Sequence, residues 1–351
     1  MKALVEHNEL ASRMSKALLP GWGVEVDNVS EFLTAVELEV FADPREDLID
    51  LYARLRQVEA CFKKATPSDG SVPDELVAMA KAKHLDIEAI NRQTNGKFFA
   101  GNKHNRAKYT IETILPPLEH IWEEMWELCD YGPGAVFSGG GTTGKHVVSK
   151  IGGKHTCTRA AAGLYYDVVR SFFPNLANRK VEEDTLEIVR GNKLAFVPKD
   201  RTKCRTIAVE PSCNVFLQKG IGEWMARRLR QFGLDLRDQN PNVEAAWAGS
   251  ITGDLATIDL SDASSRISRN VVRSLLPPDW FALLDVVRSP SWVDDNGKWH
   301  AYEMFSSQGN AFTFPLETLI FYALAKSSYS VGQSPIVYGD DIIVPSEYYA
   351  P

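Results

Sequence analysis

The chain has 351 residues, of which 44% are hydrophobic and 24% are charged, and its formal net charge is −7. This length predicts two or three subdomains, and the composition is ordinary for a soluble globular protein. No apolar stretch is long enough to span a bilayer, the charged N-terminus is unlike a signal peptide, and the five scattered cysteines contain no C-x-x-C pair, which argues against a disulfide framework or a zinc site.

The first part of the chain, up to about residue 130, is predicted to be mainly helical because apolar residues recur there at spacings of three and four. The predicted helices cover roughly 3–18, 30–42, 45–64, 74–93 and 110–129. Proline and glycine mark the breaks between them, and Pro116-Pro117 is placed near the start of the last helix.

A glycine-rich stretch over 132–153 predicts loops and a hairpin. Within it, Gly139 to Lys145 fits the pattern G-x-x-x-x-G-K of a phosphate-binding P-loop. His146 stands where a P-loop needs Ser or Thr, and no clear helix follows at once. A flexible surface loop is therefore the favoured interpretation.

The rest of the chain alternates predicted helices and strands. Helices are expected at about 156–171 and near 180–190, and Pro211 is expected to open a long helix through Gln231. The strand predictions are 194–197, 205–209 and 256–260, with hairpins over 292–302 and 335–345. Further helices are predicted within 264–276, at about 279–288 and over 311–330.

Three aspartates form the first candidate site. Asp340 and Asp341 follow Tyr338-Gly339 in a predicted tight turn, and two adjacent carboxylates require either a cation or full solvation. Asp259 comes at the end of the predicted strand 256–260, where a helix-capping role is the simpler alternative. Taken together, the three carboxylates suit a pair of Mg²⁺ ions for nucleotidyl transfer.

Two further motifs carry polar side chains. The loop Ser306-Ser307-Gln308-Gly309-Asn310 combines a glycine, which permits close approach of a ligand, with an amide able to read a ribose hydroxyl; a loop-to-helix cap is the alternative. The segment 197–211 is rich in Lys and Arg that could grip a triphosphate, or that simply solubilise an exposed hairpin. Because a polyanion needs only local positive potential, the negative total charge does not exclude nucleic acid.

Four motifs in order give the chain a specific resemblance. The segments VPKDRTKCRTIAVEP (197–211), TIDLSDASSRIS (257–268), SSQGNAFTFPLETLIF (306–321) and VYGDDIIVP (337–345) are similar to the replicase catalytic subunit of leviviruses, the Qbeta-like single-stranded RNA bacteriophages, as are LPPDWF (276–281) and DLRDQNPN (235–242). The resemblance implies an α+β right-hand polymerase fold with an antiparallel palm sheet. It divides the chain into a helical N-terminal and fingers region (1–130), fingers with a basic nucleotide-contacting hairpin (131–245) and an incomplete palm (246–351).

The resemblance also implies roles for particular residues. Asp259, Asp340 and Asp341 would be the Mg²⁺ ligands, two ions being bound, and Lys199 and Arg205 would contact the nucleoside triphosphate. The nucleotide and template site would be shaped by Ser307, Gly309 and Asn310. The chain departs from many members at Ser265, where they carry an aspartate, so whether Asp262, Ser264 or Ser265 reads the ribose stays open.

As a family member, the protein would copy phage RNA in the host bacterial cytoplasm, using nucleoside triphosphates as substrates and binding no membrane. Its implied partners are the RNA template and product, host elongation factors Tu and Ts, and a host ribosomal protein. Since family chains continue well past the hairpin at 335–345, the chain is expected to be C-terminally truncated, to lack most of the thumb, and to be inactive or weak alone. The alternatives are a reverse transcriptase, a non-catalytic RNA-binding fragment of a replicase, and a P-loop NTPase.

Overall fold

The protein is described here from a computed structural model. The described residues are 33, 36–37, 40, 45–64, 71–138, 141–143, 150, 155–176, 186–200, 202–329 and 334–349. The helix predicted over 3–18 lies outside them, as does most of the helix predicted over 30–42.

The described chain contains both helices and sheets, which confirms the α+β class. The helices are α1 (Glu46–Lys64), α2 (Asp74–Asn95), α3 (Asn102–Ile114), α4 (Trp122–Trp126), α5 (Arg159–Phe172), α6 (Ser212–Gln231), α7 (Asn240–Thr252), α8 (Arg269–Leu275), α9 (Pro278–Val287) and α10 (Thr313–Lys326). In the described part of the chain, every helix is too short or too polar to cross a membrane.

The strands form small sheets. They are β1 (Val136–Ser138), β2 (Gly141–Thr143), β3 (His155–Thr158), β4 (Leu186–Val189), β5 (Asn192–Asp200), β6 (Lys203–Val209), β7 (Leu255–Asp259), β8 (Ser291–Val293), β9 (Trp299–Ala301), β10 (Ile336–Tyr338) and β11 (Asp341–Pro345). The strand orders are β1-β2, β3-β4, β6-β5-β8-β9 and β10-β11-β7. The last sheet is antiparallel throughout, whereas β3-β4 and β5-β8 pair in parallel.

The chain divides into two compact units. The first consists of Met1–His84 with Phe196–Thr206. Its described core is a cluster of aliphatic side chains that includes Leu51, Leu55 and Val58 on one face of α1. Leu51, Leu55 and Val58 recur at intervals of four and three, which is the spacing that lines one side of a helix.

The second unit consists of Leu85–Ala195 with Ile207–Pro351 and holds the largest hydrophobic core. Helix α6 is buried along most of its length and contacts α4, α5, α9 and α10, so it is the central helix of this unit. Among the largest fully buried side chains are Trp126 and Trp280. The core therefore fixes α10 against one central helix, and α10 in turn contacts strands β10 and β11 of the adjoining sheet.

Trp280 anchors α9 to the proline segment that follows α3. Its indole ring is fully buried, and its Nε1 donates to the Pro116 carbonyl at 2.7 Å. We expect Trp280→Phe to lower the free energy of unfolding by about 2 kcal/mol, because the half-buried Pro116 carbonyl loses its donor and a small void remains around the ring. Urea denaturation followed by circular dichroism measures the change. Trp122→Phe is the matched control, because the Trp122 side chain is 39% exposed; an equal loss in both variants would contradict this account.

Several sequence predictions hold closely from residue 192 onwards. Strands β5, β6 and β7, helices α6 and α9 and the hairpins β8-β9 and β10-β11 all lie where the patterns placed them. Pro211 immediately precedes α6, as expected, and Gly297 in the β8-β9 turn has a φ of +78°.

The prediction of one helix over 110–129 was wrong. Helix α3 begins earlier, at Asn102, and ends at Ile114, and after Pro116-Pro117 a short 3₁₀ turn over Leu118–His120 leads into α4. The reason is that a residue before proline avoids helical geometry, so the two prolines separate two helices instead of opening one.

The helix predicted near 180–190 was also wrong in its described part. Residues Leu186–Val189 form β4, which pairs in parallel with β3, while 177–185 lie outside the described residues. The short apolar run was ambiguous between helix and strand, and the long-range pairing with β3 decided it. Strand β3 likewise occupies the start of the helix predicted over 156–171, so that α5 begins at Arg159.

Candidate active site

The antiparallel sheet β10-β11-β7 brings the three candidate aspartates to one end. Residues Asp341 and Asp259 are directly paired across β11 and β7, and Asp340 lies in the turn between β10 and β11. Side chains of directly paired residues project to the same face of an antiparallel sheet. Two carboxylates distant in sequence thus come from adjacent strands, with a third one residue away.

Helix α10 supports the turn that carries Asp340. The backbone N–H of Gly339 donates to Thr318 Oγ1 at 3.0 Å, and the rings of Tyr338 and Phe314 meet edge to face at 5.2 Å. Gly339 has a φ of +61°, and a Cβ atom there would lie 2.4 Å from Phe314 Cε2. The glycine is therefore required both by the backbone conformation and by the space beneath the turn.

The pKa values of two carboxyl groups at this end of the sheet, Asp341 and Glu317, are raised. The pKa of Asp341 is raised by burial first and then by the charges of Asp340 and Asp259. A fourth carboxylate, Glu317 on α10, was not singled out from the sequence; burial and then Asp340 raise its pKa to about 7. This accumulation of negative charge favours any cation that can approach it.

The donor set suits a hard divalent cation in its chemistry, since all the groups are carboxylate oxygens. The backbone register also fits, because it places Asp259 and Asp341 side by side. Within the described ranges, no three or more side chains of His, Cys, Asp or Glu are grouped as metal ligands.

Two amides at the start of α7 hold Asp341. Gln239 Nε2 donates to Asp341 Oδ2 at 2.9 Å, and Asn242 Nδ2 donates to the Asp341 carbonyl at 3.0 Å. The sequence reasoning missed both residues because it did not predict α7. Pro241 in the first turn and Gly253 in a left-handed cap, with φ +74°, were the available signals, since proline at the start and glycine at the end are typical of a helix.

The loop Ser306–Asn310 closes tightly against β6. Gly309 has a φ of +119°, and a Cβ atom on it would lie 2.0 Å from the Ala208 carbonyl oxygen. The neighbouring backbone bond runs from Ala208 N to Gln308 O at 2.6 Å. Asn310 Oδ1 accepts from Phe312 N at 3.0 Å in the turn before α10, and because no side chain caps the helix itself, the capping alternative stays unconfirmed. The buried Nδ2 of Asn310 has no partner among the described residues.

A buried polar network lies behind this loop. The Glu210 carboxylate accepts from Asn192 Nδ2 at 2.6 Å, Gln218 Nε2 at 3.2 Å and Ser289 Oγ at 2.6 Å. Asn192 Oδ1 in turn accepts from Tyr302 Oη at 2.9 Å. Burial raises the pKa of Glu210, while these donors and the charge of Arg288 act against the rise. Since Asn192 Nδ2 is also 3.4 Å from Ser307 Oγ, the network fixes the loop from within.

The residues around the expected ribose reader differ in their surroundings. Ser264 is buried, and its hydroxyl hydrogen-bonds to the Glu317 carboxylate. This bond acts against the rise in the pKa of Glu317 that burial and Asp340 cause. Asp262 has a φ of +58°, a left-handed conformation that Asp tolerates better than most residues. The Ser265 carbonyl accepts from Asn91 Nδ2 at 2.7 Å. Ser264 is thus already committed to a partner within the protein.

The remaining predicted residues fall in the first unit or mainly outside the described residues. Lys199 is on β5 and Arg205 on β6, and both belong to the first unit, whereas the three aspartates and the Ser306–Asn310 loop belong to the second. Most of the P-loop pattern, including Lys145 and His146, lies outside the described residues, and Gly141–Thr143 form β2.

Comparison with known proteins adds a consistent set of matches. A family model described as RNA replicase, beta-chain, matches residues 57–351. The chain is 36% identical over 287 residues to the RNA-directed RNA polymerase subunit beta of Enterobacteria phage SP, which covers 78% of this chain and 49% of that protein. It is also 44% identical over 174 residues to the RNA-directed RNA polymerase beta chain of Escherichia phage MS2, covering 49% of this chain and 32% of that one.

A third relative is the RNA-directed RNA polymerase subunit beta of Escherichia virus Qbeta, 47% identical over 159 residues, which covers 44% of this chain and 27% of that protein. The chain therefore spans about half or less of the length of the curated relatives it matches.

Proposed function

We propose, from the premise that this chain belongs to the RNA replicase beta-chain family, that it forms the catalytic core of an RNA-dependent RNA polymerase. The observation that carries the proposal is the pairing of Asp259 with Asp341 beside the turn residue Asp340. Template-directed nucleotidyl transfer needs positioned carboxylates more than it needs covalent chemistry from the protein. The names of the phage relatives support the same activity.

In this proposal, Asp259, Asp340 and Asp341 hold two Mg²⁺ ions. When bound, the ions would activate the 3′-hydroxyl and neutralise charge on the triphosphate. Gln239 and Asn242 orient Asp341 through its carboxylate and its carbonyl. Glu317, beneath the turn, adds negative charge close to Asp340.

The nucleotide would be held by residues from the other predicted motifs. Lys199 and Arg205 would contact the triphosphate, because a guanidinium fork and an ammonium group both pair with phosphate. Ser307, Gly309 and Asn310 would shape the nucleotide and template site. The buried Asn310 Nδ2 supports this role, since it finds no partner in the described part of the chain and is a donor that a bound ribose or base could use.

We also propose the right-hand arrangement of the family, with a helical N-terminal and fingers region over 1–130, fingers over 131–245 and palm over 246–351. The antiparallel sheet β10-β11-β7 would be the palm sheet. The expected partners are an RNA template and product, nucleoside triphosphates, host elongation factors Tu and Ts and a host ribosomal protein, in the cytoplasm of an infected bacterium.

Primer extension on an RNA template tests the function. We expect the complete reading frame that contains this chain to extend a primer with ribonucleotides and Mg²⁺. Preference for deoxyribonucleotides would indicate a reverse transcriptase instead, and RNA binding without turnover would indicate a non-catalytic module. Nucleotide hydrolysis without template, lost in Lys145→Ala, would indicate a P-loop NTPase.

Removal of the Gln239 amide should weaken metal binding without removing a ligand. We expect Gln239→Ala to lower the affinity of the 351-residue chain for Mn²⁺ by about 10- to 100-fold, the usual effect of losing a group that orients a metal ligand. Isothermal titration calorimetry with Mn²⁺ measures it directly.

Gln93→Ala is the matched control for this prediction, because Gln93 is an exposed glutamine within α2. It should leave the Mn²⁺ affinity unchanged. If Gln239→Ala binds Mn²⁺ as tightly as the wild-type chain, the amide does not orient the carboxylate and its bond to Asp341 is incidental.

A further inference from the structure

The C-terminal end of α6 and the loop that follows it form a pocket of about 420 Å³ that the proposed function does not use. Its lining consists of Arg227, Arg230, Gln231 and Arg237. Three guanidinium groups and one amide converge there, so the pocket is lined by hydrogen-bond donors. Such a lining is complementary to an anion.

The positive charge of the pocket is only partly balanced. Arg227 Nε pairs with Glu223 at 2.9 Å, whereas Arg230 Nε and Arg237 Nε share one carboxylate, Asp235, at 2.9 and 3.4 Å. Three arginines are thus matched by two carboxylates, which leaves one net positive charge. All three pairs run through Nε, and each guanidinium carries four of its five N–H groups on the Nη atoms.

The ion pairs of the pocket are exchangeable. The side chains of Arg227, Arg230 and Arg237 are 54%, 60% and 67% exposed, and ion pairs at such exposed positions contribute little stability. A phosphate that accepts from the Nη groups could therefore bind without a large structural cost. Bidentate pairing between a guanidinium and a phosphate is among the strongest charge-assisted hydrogen bonds.

The pocket is connected to the candidate active site through the chain itself. Arg237 lies two residues before Gln239, whose amide contacts Asp341. Two residues span at most about 7 Å of backbone. Since one strand of a nucleic acid helix advances about 3.4 Å per nucleotide, a strand that ends at the carboxylates needs only a few nucleotides to reach Arg237, which shares the pocket with the other two arginines.

We propose that Arg227, Arg230 and Arg237 form a binding site for the phosphodiester backbone of the RNA strand, a few nucleotides from the catalytic aspartates. The site rests on the proposed function, because it takes the strand that the polymerase would hold. Its open form suits a strand that passes across it, and Gln231 can offer its Nε2 donor to the sugar, since its Oε1 already accepts from Arg228 Nη1 at 2.7 Å. Backbone contacts of this kind position an RNA without reading its sequence.

The test measures the affinity of the 351-residue chain for a fluorescently labelled single-stranded RNA by anisotropy over a series of salt concentrations without divalent metal. The variant Arg227→Gln/Arg230→Gln/Arg237→Gln should bind at least tenfold more weakly. Its slope of log affinity against log salt should fall by about 2, because each phosphate contact on a single strand contributes about 0.7. Wild-type affinity and slope in this variant would overturn the proposal.

The matched control removes the same charge elsewhere. Arg54, Arg56 and Arg92 are exposed arginines that pair with Asp50, Glu59 and Glu303. Their triple substitution by Gln should leave the slope within 0.5 of wild type, taking about 0.7 as one contact. An equal fall in both triple variants would mean that RNA responds to total charge alone, and would overturn the assignment of a site.

A lysine variant separates charge from geometry. Arg227→Lys/Arg230→Lys/Arg237→Lys keeps three positive charges, so the salt slope should stay near that of the wild-type chain, while the affinity falls because lysine lacks the planar fork. Unchanged affinity would exclude bidentate contacts and overturn the site as proposed.

Two competitors identify the ligand. Inorganic phosphate and ATP should displace the labelled RNA only at concentrations far above those of unlabelled RNA, since each offers fewer contacts than a strand. If ATP binds to the wild-type chain and the glutamine variant abolishes that binding, the pocket takes a free nucleotide and the backbone proposal is wrong. Polymerase activity is judged separately, by substitution of the aspartates, so the two proposals can fail independently.

Discussion

Asp340→Asn is expected to lower primer extension by the complete reading frame by about 1,000-fold. The substitution keeps the size of the side chain but removes one charge from the group Asp259, Asp340 and Asp341. Stabilisation of a developing charge by a bound ion contributes several kcal/mol, and about 4 kcal/mol corresponds to three orders of magnitude in rate. Single-turnover incorporation of one ribonucleotide at saturating substrate measures the chemical step.

Two controls accompany this variant. Asp86→Asn removes the same charge from an exposed position on α2 and should leave the rate unchanged. Urea denaturation should show that Asp340→Asn is folded, because Asp340 is only half-buried and lies in a turn. Extension at the wild-type rate would refute the assignment of Asp340 to the catalytic group.

Gly309→Ala is expected to destabilise the second unit by about 4 kcal/mol. A backbone at φ +119° is strained for alanine by about 1–3 kcal/mol, and a Cβ atom 2.0 Å from the Ala208 carbonyl adds an overpacking cost of similar size. The Cβ atom is fixed by the backbone of residue 309 and the carbonyl oxygen belongs to the backbone of Ala208, so no side-chain rotation can relieve the clash. The free energy of unfolding from urea denaturation measures the loss.

Gly101→Ala separates the cost of backbone strain from the cost of the steric clash. Gly101 has a φ of +116°, nearly that of Gly309, but nothing lies within 4 Å of the position of its Cβ. It should therefore show only the backbone strain, about 1–3 kcal/mol. Equal losses at the two glycines would mean that the close approach of the loop to β6 does not contribute.

Local sequence signals were enough to predict the elements whose partners are close to them in the sequence. The hairpin β10-β11 follows from two β-branched runs around Gly339-Asp340, and the hairpin β8-β9 follows from Asp295-Asn296-Gly297. The long helix α6 was expected from Pro211 and the apolar pattern after it. The register of β7 against β11 cannot be predicted from the sequence of either strand alone. The expectation that Asp259 lies beside the hairpin therefore came only from the resemblance and from the chemistry of paired carboxylates.

The predictions failed where residues distant in the sequence determine the secondary structure or the role of a side chain. Residues 186–189 are a strand because β3 lies beside them, and no local period distinguishes this from a helix. The amides of Gln239 and Asn242 are ordinary polar side chains in the sequence, and they gain a role only through contact with Asp341. Glu317 was read as part of an apolar helix, yet its carboxylate faces the charge of Asp340.

The network around Glu210 has a consequence for the order in which the protein matures on the ribosome. Its donors come from Asn192, before it, and from Gln218 and Ser289, after it, and Tyr302 completes the chain of hydrogen bonds. While the nascent polypeptide ends before Ser289, the carboxylate lacks a donor and stays hydrated, since an incompletely paired charge resists burial. The interior of this unit can therefore close only after Ser289 has left the ribosome, and a nascent chain stalled before that point would still be open to proteases.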